Sequence, residues 1–307
     1  MGISEKADSD HAIAGAVSGF VTRFTCQPLD VIKIRFQLQV EPIAAHDVSK
    51  YHSMLQATNS IVKDEGVLAL WKGHVPAQLL SIIYGTGQFY AYHRFTKFSE
   101  NLQIPESLKR PTQFMGGAFA GCVGTVLSYP FDTVRTRLVA QSTNRLVYKG
   151  IVDSFGTIMK TESPRAFFQG LWPTLLQIAP HTGIQFLFYN IFTDLCKFYS
   201  SDSSSSMTKS MFAGSAAGLV AKTAVYPFDL ARKRMQIQGF EEGRVGFGKF
   251  FRCKGMVDCL VVTVKDEGIK GLFKGLVPSQ LKAAATTALH FTVYEQTVLL
   301  IQRHRVS

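Results

Sequence analysis

The stretch QPLDVIKIRFQ, from Gln27 to Gln37, ends an apolar run with a proline and three charges, Asp30, Lys33 and Arg35. The pattern returns as YPFDTVRTRLV from Tyr129 and YPFDLARKRMQ from Tyr226, so each copy reads Pro, any, Asp, any, any, Lys or Arg, any, Arg. A period of roughly one hundred residues marks an internal repeat. Upstream, glycine pairs recur in phase as Gly15/Gly19, Gly117/Gly121 and Gly214/Gly218. Such small-xxx-small spacing predicts close helix packing. Downstream come EGVLALWKG from Glu65, ESPRAFFQG from Glu162 and EGIKGLFKG from Glu267. Beyond each closing glycine follows Phe89, Phe186 or Phe291, and three residues later Tyr92, Tyr189 or Tyr294. The chain divides into repeats at 1–106, 107–204 and 205–307.

Composition points to the same architecture. Of 307 residues, 46% are hydrophobic and only 18% charged, and 24 are Phe. Six charge-poor segments, near 12–29, 75–92, 111–131, 171–193, 211–228 and 276–294, approach the roughly 20 residues that span a bilayer. Each repeat is expected to hold a helix broken at proline, a loop, a short amphipathic helix and a second spanning helix. In the third repeat Met256, Leu260, Val261 and Val264 fall on one side of the short helix, a helical period. VEPIAAHDVSKYHS and SSDSSSSMTKS read as loops. Six spans place both termini on one side. Arg23, Lys222 and Lys282 interrupt three spans, and ionisable groups there are expected to face a watery interior.

A net charge of +11 favours anionic partners. The cations lie at helix ends and loops rather than on one aromatic-laced face, so nucleic acid is not expected as a partner. Cys26, Cys122, Cys196, Cys253 and Cys259 form no CxxC and no zinc spacing, which predicts reduced thiols and no metal. The opening MGISEKADSDHAI is expected to be neither a secretory signal, a transit peptide nor a myristoylation site. No nucleophile elbow, Walker loop, HExxH or dinucleotide turn is present. Threefold regularity of Asp and Lys also differs from the singular site of an enzyme, so neither catalysis nor a cofactor is expected.

The three Pro-x-Asp-x-x-Lys/Arg lines, with the three acid-to-glycine lines, resemble the mitochondrial carrier family over about residues 12–301. That resemblance implies an all-α membrane protein. Six transmembrane helices form three pseudosymmetric repeats in the inner mitochondrial membrane, with three short amphipathic helices on the matrix side. It implies transport by alternating access at one central site and a functional monomer. DVIKIRFQLQ, WKGHVPAQLLSIIYG, YPFDLARKRMQIQGFE and GLVPSQLKAA resemble family members whose cargo is thiamine pyrophosphate, exchanged for (deoxy)nucleotides. Another phosphorylated cofactor or nucleotide, of the adenine nucleotide, deoxynucleotide or coenzyme A class, stays open as the alternative.

The resemblance also assigns residues. A matrix gate would join Asp30–Arg135, Asp132–Arg232 and Asp229–Lys33, braced by Gln37 and Gln236, with Val139 standing where a third brace belongs. Local (i, i+3) pairs on each helix surface are the plainer alternative. A cytosolic gate at Tyr92, Tyr189, Tyr294 and Glu295 would be weak, because only Glu295 supplies a charge. The empty carrier is then expected to rest open to the cytosol. Substrate contacts fall on Arg23, Leu80, Tyr84, Gln177, Ile178, Lys222, Lys282 and Thr286. The three cations suit an oligophosphate, or else pair structurally. Tyr84 suits a thiazolium ring, or packs; Gln177 suits an aminopyrimidine edge. Cardiolipin would bind at Trp71, Lys72, Gly73, Gly150, Gly170, Lys274 and Gly275, through free N–H groups at helix N-termini. Gln169, Cys253 and Ser53 depart from that pattern.

Overall fold

A proline closing an apolar run does not end the helix here. Pro28, Pro130 and Pro227 lie inside α1 (Ile3–Leu38), α4 (Glu106–Ala140) and α7 (Ser206–Gln236). Proline frees the carbonyl four residues back. In the first repeat that carbonyl, on Phe24, accepts from the Trp71 indole Nε1 at 3.1 Å. The helix expected to break is therefore continuous, its orphaned acceptor capped from another turn.

The computed structural model describes residues 3–40, 50–102, 105–141, 146–199, 206–244 and 251–306. The remaining long helices are α3 (His74–Asn101), α6 (Leu171–Tyr199) and α9 (Leu276–Val306). The short ones are α2 (Met54–Glu65), α5 (Ile151–Thr161) and α8 (Met256–Glu267). A 3-10 turn follows each short helix, at Val67–Trp71, Pro164–Phe168 and Ile269–Phe273. No strand occurs among the described residues. Of the two expected loops, residues 41–49 and 200–205 lie outside the described residues, and 206–210 begin α7 instead.

The long helices pair across repeat boundaries, α3 with α4, α6 with α7 and α9 with α1. The proline-bearing α1, α4 and α7 converge around their aspartates. The hydrophobic core gathers at this end, from Val31, Ile34, Val134 and Val139 to Ile61 and Ile158 of the short helices. Elsewhere large apolar side chains stay exposed, among them Phe20, Phe89, Trp172 and Phe198. Among the described residues only Pro111–Ala140 combines spanning length with low charge and a mean hydropathy of 1.3. The other long helices are diluted by charges and small polar residues, as on helices that enclose a cavity.

Turn chemistry locks the repeats together. The closing glycines Gly73, Gly170 and Gly275 have φ of 75°, 83° and 80°. A Cβ on Gly73 would lie 2.9 Å from Val139, one on Gly170 2.8 Å from the Arg232 carbonyl, and one on Gly275 3.0 Å from the Lys33 carbonyl. Each therefore abuts the proline helix of the next repeat around the ring. The residue before each proline caps the turn of its own repeat: Gln27, Tyr129 and Tyr226 donate to the carbonyls of Lys72, Gln169 and Lys274 at 2.9, 3.1 and 2.8 Å.

The second arginine of each motif ties the short helices in. Arg35, Arg137 and Arg234 each form an ion pair with Glu65, Glu162 and Glu267 respectively. Lys72 Nζ joins Glu65 at 2.5 Å. Arg137 also donates to the carbonyls of Gln236 and Gln238, and Arg234 to those of Gln37 and Gln39. Arg234 further donates to Thr263 Oγ1 at 2.9 Å. Cys259 and Thr263 of α8 face inward, leaving Val261 and Val264 on the surface. The expected apolar side of α8 is thus not its buried side. The same register is buried in α2, at Ala57 and Ile61, and in α5, at Ser154 and Ile158, so the frame common to the three repeats sets the orientation of α8.

The glycine pairs also act otherwise than expected. A Cβ on Gly15, Gly19 or Gly117 would meet nothing within 4 Å, and on Gly121, Gly214 or Gly218 only an ordinary contact near 3.9–4.0 Å. They are not close-packing positions, and Gly19, Gly121, Gly214 and Gly218 line cavities. Tight approach falls instead on Gly124, where a Cβ would lie 2.9 Å from the Tyr84 carbonyl.

Gly124→Ala should therefore cost about 1–3 kcal/mol through overpacking of α3 on α4. Gly117→Ala should be neutral or stabilising, since alanine has the higher helix propensity. Thermal unfolding in detergent separates the two, and equal effects would contradict this assignment. A second expectation concerns pH. Burial opposes ionisation of Glu65, but Arg35 and Lys72 overcome it and hold its carboxyl down at about 2. A depressed carboxyl stabilises fully above its unfolded value of about 4.3. That contribution erodes below it and is lost as pH falls through about 2. The unfolding midpoint should be flat in this respect from pH 7 to 5, and Glu65→Gln should cost about 3–5 kcal/mol at pH 7 by stranding Arg35.

Candidate functional site

At the converging end, three carboxylates sit in a ring of cations. Asp30 pairs with Arg135 at 2.5 Å, Asp132 with Arg232 at 2.7 Å and Asp229 with Lys33 at 2.6 Å. Each pair joins different repeats, so the local (i, i+3) alternative is not what the structure forms. Gln37 donates to Asp229 at 3.2 Å and to the Tyr226 hydroxyl at 3.1 Å. Gln236 donates to Asp132 at 2.5 Å. Val139 is fully buried and supplies no such bond.

Two lysines break the threefold symmetry. Lys233 is buried and reaches Asp132 at 2.9 Å, Thr136 at 3.0 Å and the Gln236 side-chain oxygen at 3.0 Å. It was legible only as the one cation at its register, since Ile34 and Thr136 occupy the equivalent positions. Lys282 Nζ lies 2.6 Å from the second oxygen of Asp30. It thus supports the very pair that lacks a glutamine.

Above the ring, the expected contacts divide among three adjoining spaces. Arg23, Leu80, Tyr84, Gln177 and Ile178 line one cavity of about 500 Å³, with Arg232 from the ring. Ser81, Ser128 and Thr174 join them there, hydroxyls that carry no repeat signature. Arg23 also borders a space of about 210 Å³ with Asp30, Lys282 and Thr286. Lys222 lines a third, of about 830 Å³, with His181 and Glu295. The cations are tethered: Arg23 donates to the Ala77 carbonyl at 2.8 Å and Lys222 to that of Ser279 at 3.1 Å. These carbonyls accept without supplying a countercharge to either cation. The buried side-chain oxygen of Gln177 has no hydrogen-bond partner among the described residues.

The opposite end differs. Tyr92 is partly exposed, Tyr294 bonds to His11 at 2.8 Å, and Glu295 borders the 830 Å³ space. The ion pairs of the ring all lie at the converging end. The lysines expected to meet lipid are turned inward instead, Lys72 onto Glu65 and Lys274 onto Glu267 and the carbonyls of Gln39 and Val40. Each carboxylate, already half-satisfied by arginine, draws the lysine in. Trp71 is engaged with Phe24. What remains for an anion is backbone, at the helix starts beside Gly73, Gly150, Gly170 and Gly275.

Comparison with known proteins agrees with this construction. The family described as Mitochondrial carrier protein matches residues 6–102, 106–200 and 203–305. The chain is 42% identical to the mitochondrial thiamine pyrophosphate carrier of Bos taurus, over 96% of this chain and 95% of that one. It is 42% identical to the Homo sapiens protein of the same name, over 92% and 89%. It is 37% identical to the mitochondrial thiamine diphosphate carrier 2 of Zea mays, over 92% and 91%. With three matched repeats, three inter-repeat ion pairs and relatives aligned nearly end to end, the chain belongs to the mitochondrial carrier family.

Proposed function

We propose that this protein carries thiamine pyrophosphate across the inner mitochondrial membrane, exchanging it for nucleotides by alternating access. The observation that carries this reading is the cavity shared by Arg23, Tyr84 and Gln177, above a closed ring of ion pairs, in a chain closely similar to carriers of that name. The three repeats, 1–106, 107–204 and 205–307, contribute two spanning helices each. Their exposed apolar side chains suit hydrocarbon, and a single chain encloses the pathway. Cardiolipin phosphate would meet the helix starts beside Gly73, Gly150, Gly170 and Gly275 through their N–H groups.

In this reading the ring is the matrix gate, and the end near Tyr92, Tyr189, Tyr294 and Glu295 faces the cytosol. The structure then corresponds to the cytosol-open state. The diphosphate engages Arg23, Lys282 and Lys222, the thiazolium lies against Tyr84, and the aminopyrimidine donates to Gln177. Leu80, Ile178 and Thr286 shape the walls. When phosphate draws Lys282 away, Asp30 keeps Arg135 alone, with Val139 offering no brace. The ring thus loosens at its least supported pair, which lets substrate promote its own passage.

Purified protein in liposomes should take up labelled thiamine pyrophosphate when preloaded with thiamine pyrophosphate, ADP or a deoxynucleotide, and not when empty. Lys282→Ala should lower uptake about tenfold or more, as expected for losing a charge-assisted hydrogen bond of roughly 1.5–3 kcal/mol. Uptake of nucleotides without uptake of thiamine pyrophosphate would reassign the substrate within the same mechanism.

A further inference from the structure

The third repeat departs from the other two in a paired way. In the first and second repeats a tyrosine precedes the short helix and bonds the motif arginine: Tyr51 with Arg35 at 2.9 Å, Tyr148 with Arg137 at 3.2 Å. The residue buried one turn into the helix is Ala57 or Ser154. The third repeat replaces both at once, with Cys253 and Cys259. Each thiol bears on the ionisation of the other, so the two side chains lie within interaction range. The preceding glutamine departs as well. Gln39 and Gln141 clasp the backbone of Tyr51 and Tyr148, whereas the Gln238 side chain donates to the Cys253 sulfur.

We propose that Cys253 and Cys259 are a redox-active dithiol, converted by peroxide to an intramolecular disulfide. Exposure sets the order of events: Cys253 is half-buried and reachable, while Cys259 is 1% exposed. Charge agrees, since the Cys259 contact, Gln238 and Arg234 favour the Cys253 thiolate against burial. The Cys253 contact and burial hold Cys259 protonated. A thiolate is the oxidisable form. The Cys253 thiolate attacks the peroxide O–O bond, giving a sulfenic acid and hydroxide, which gains a proton to become water. The Cys259 sulfur then attacks the sulfenic sulfur. The S–S bond forms, and the sulfenic oxygen leaves with the Cys259 proton as a second water. Two thiols and one peroxide thus give one disulfide and two waters, and a dithiol reductant reverses the change.

The test uses full-length protein in liposomes, treated with hydrogen peroxide, quenched, denatured and alkylated. The sequence holds five cysteines. Two should escape alkylation after peroxide, with all recovered by dithiothreitol, and peptide mass spectrometry should link Cys253 to Cys259. In Cys259→Ala a dimedone adduct should appear on Cys253, since no partner resolves the sulfenic acid. In Cys253→Tyr no thiol should be lost. Both variants borrow residues that the first repeat already accommodates, and thermal unfolding verifies their fold. Full alkylation after peroxide, a linkage between other cysteines, or unchanged thiol loss in Cys253→Tyr would overturn the proposal.

Discussion

Three aspartates held out of water, each needing a cation from another repeat, are the constraint on which this structure depends. Asp30, Asp132 and Asp229 are all largely buried. A carboxylate removed from water is tolerated only when paired and hydrogen-bonded. Because Arg135, Arg232 and Lys33 come from the following repeat, satisfying them draws α1, α4 and α7 to one point. The desolvation cost of such pairs consumes most of their Coulomb gain. They therefore specify the convergence strongly while adding little net stability, which suits contacts that must be broken and remade.

The ring is not uniformly supported. Asp132 has Arg232, Lys233 and Gln236; Asp229 has Lys33 and Gln37; Asp30 has Arg135 and Lys282. The first site is supported entirely within α4 and α7, whereas the last borrows its second cation, Lys282, from α9. Approximate threefold symmetry builds the frame, and departures from it distinguish the three positions.

Much of this was legible in the sequence because the repeats are in phase. Charges that follow an apolar run at one register, three times, imply convergence, and Asp30, Asp132 and Asp229 meet their cations as the motif suggests. Other features depend on contacts that no spacing encodes. The partners of Arg35, Arg137 and Arg234 lie on the far side of a loop and a helix, though the recurring Glu before each 3-10 turn was the available signal. The glycine pairs matched a packing pattern, but small residues also make room, and here four of the six border cavities. The orientation of α8 follows the register it shares with α2 and α5 rather than its own hydropathy. Lys282 was legible as a cation in an apolar helix, but its place on Asp30 required the fold.

The three motif ion pairs run, carboxylate to cation, in one rotational sense, from the first repeat to the second, the second to the third, and the third back to the first. The last step carries a consequence for biosynthesis. Lys33 is separated from Asp229 by 196 positions, and the Gln37 carbonyl from Arg234 by 197. Contacts so distant along the chain are slow to form, because loop closure precedes any gain. Lys33 and Gln37 lack these partners throughout synthesis of the first two repeats, so the fold is completed only when the final repeat closes the circle.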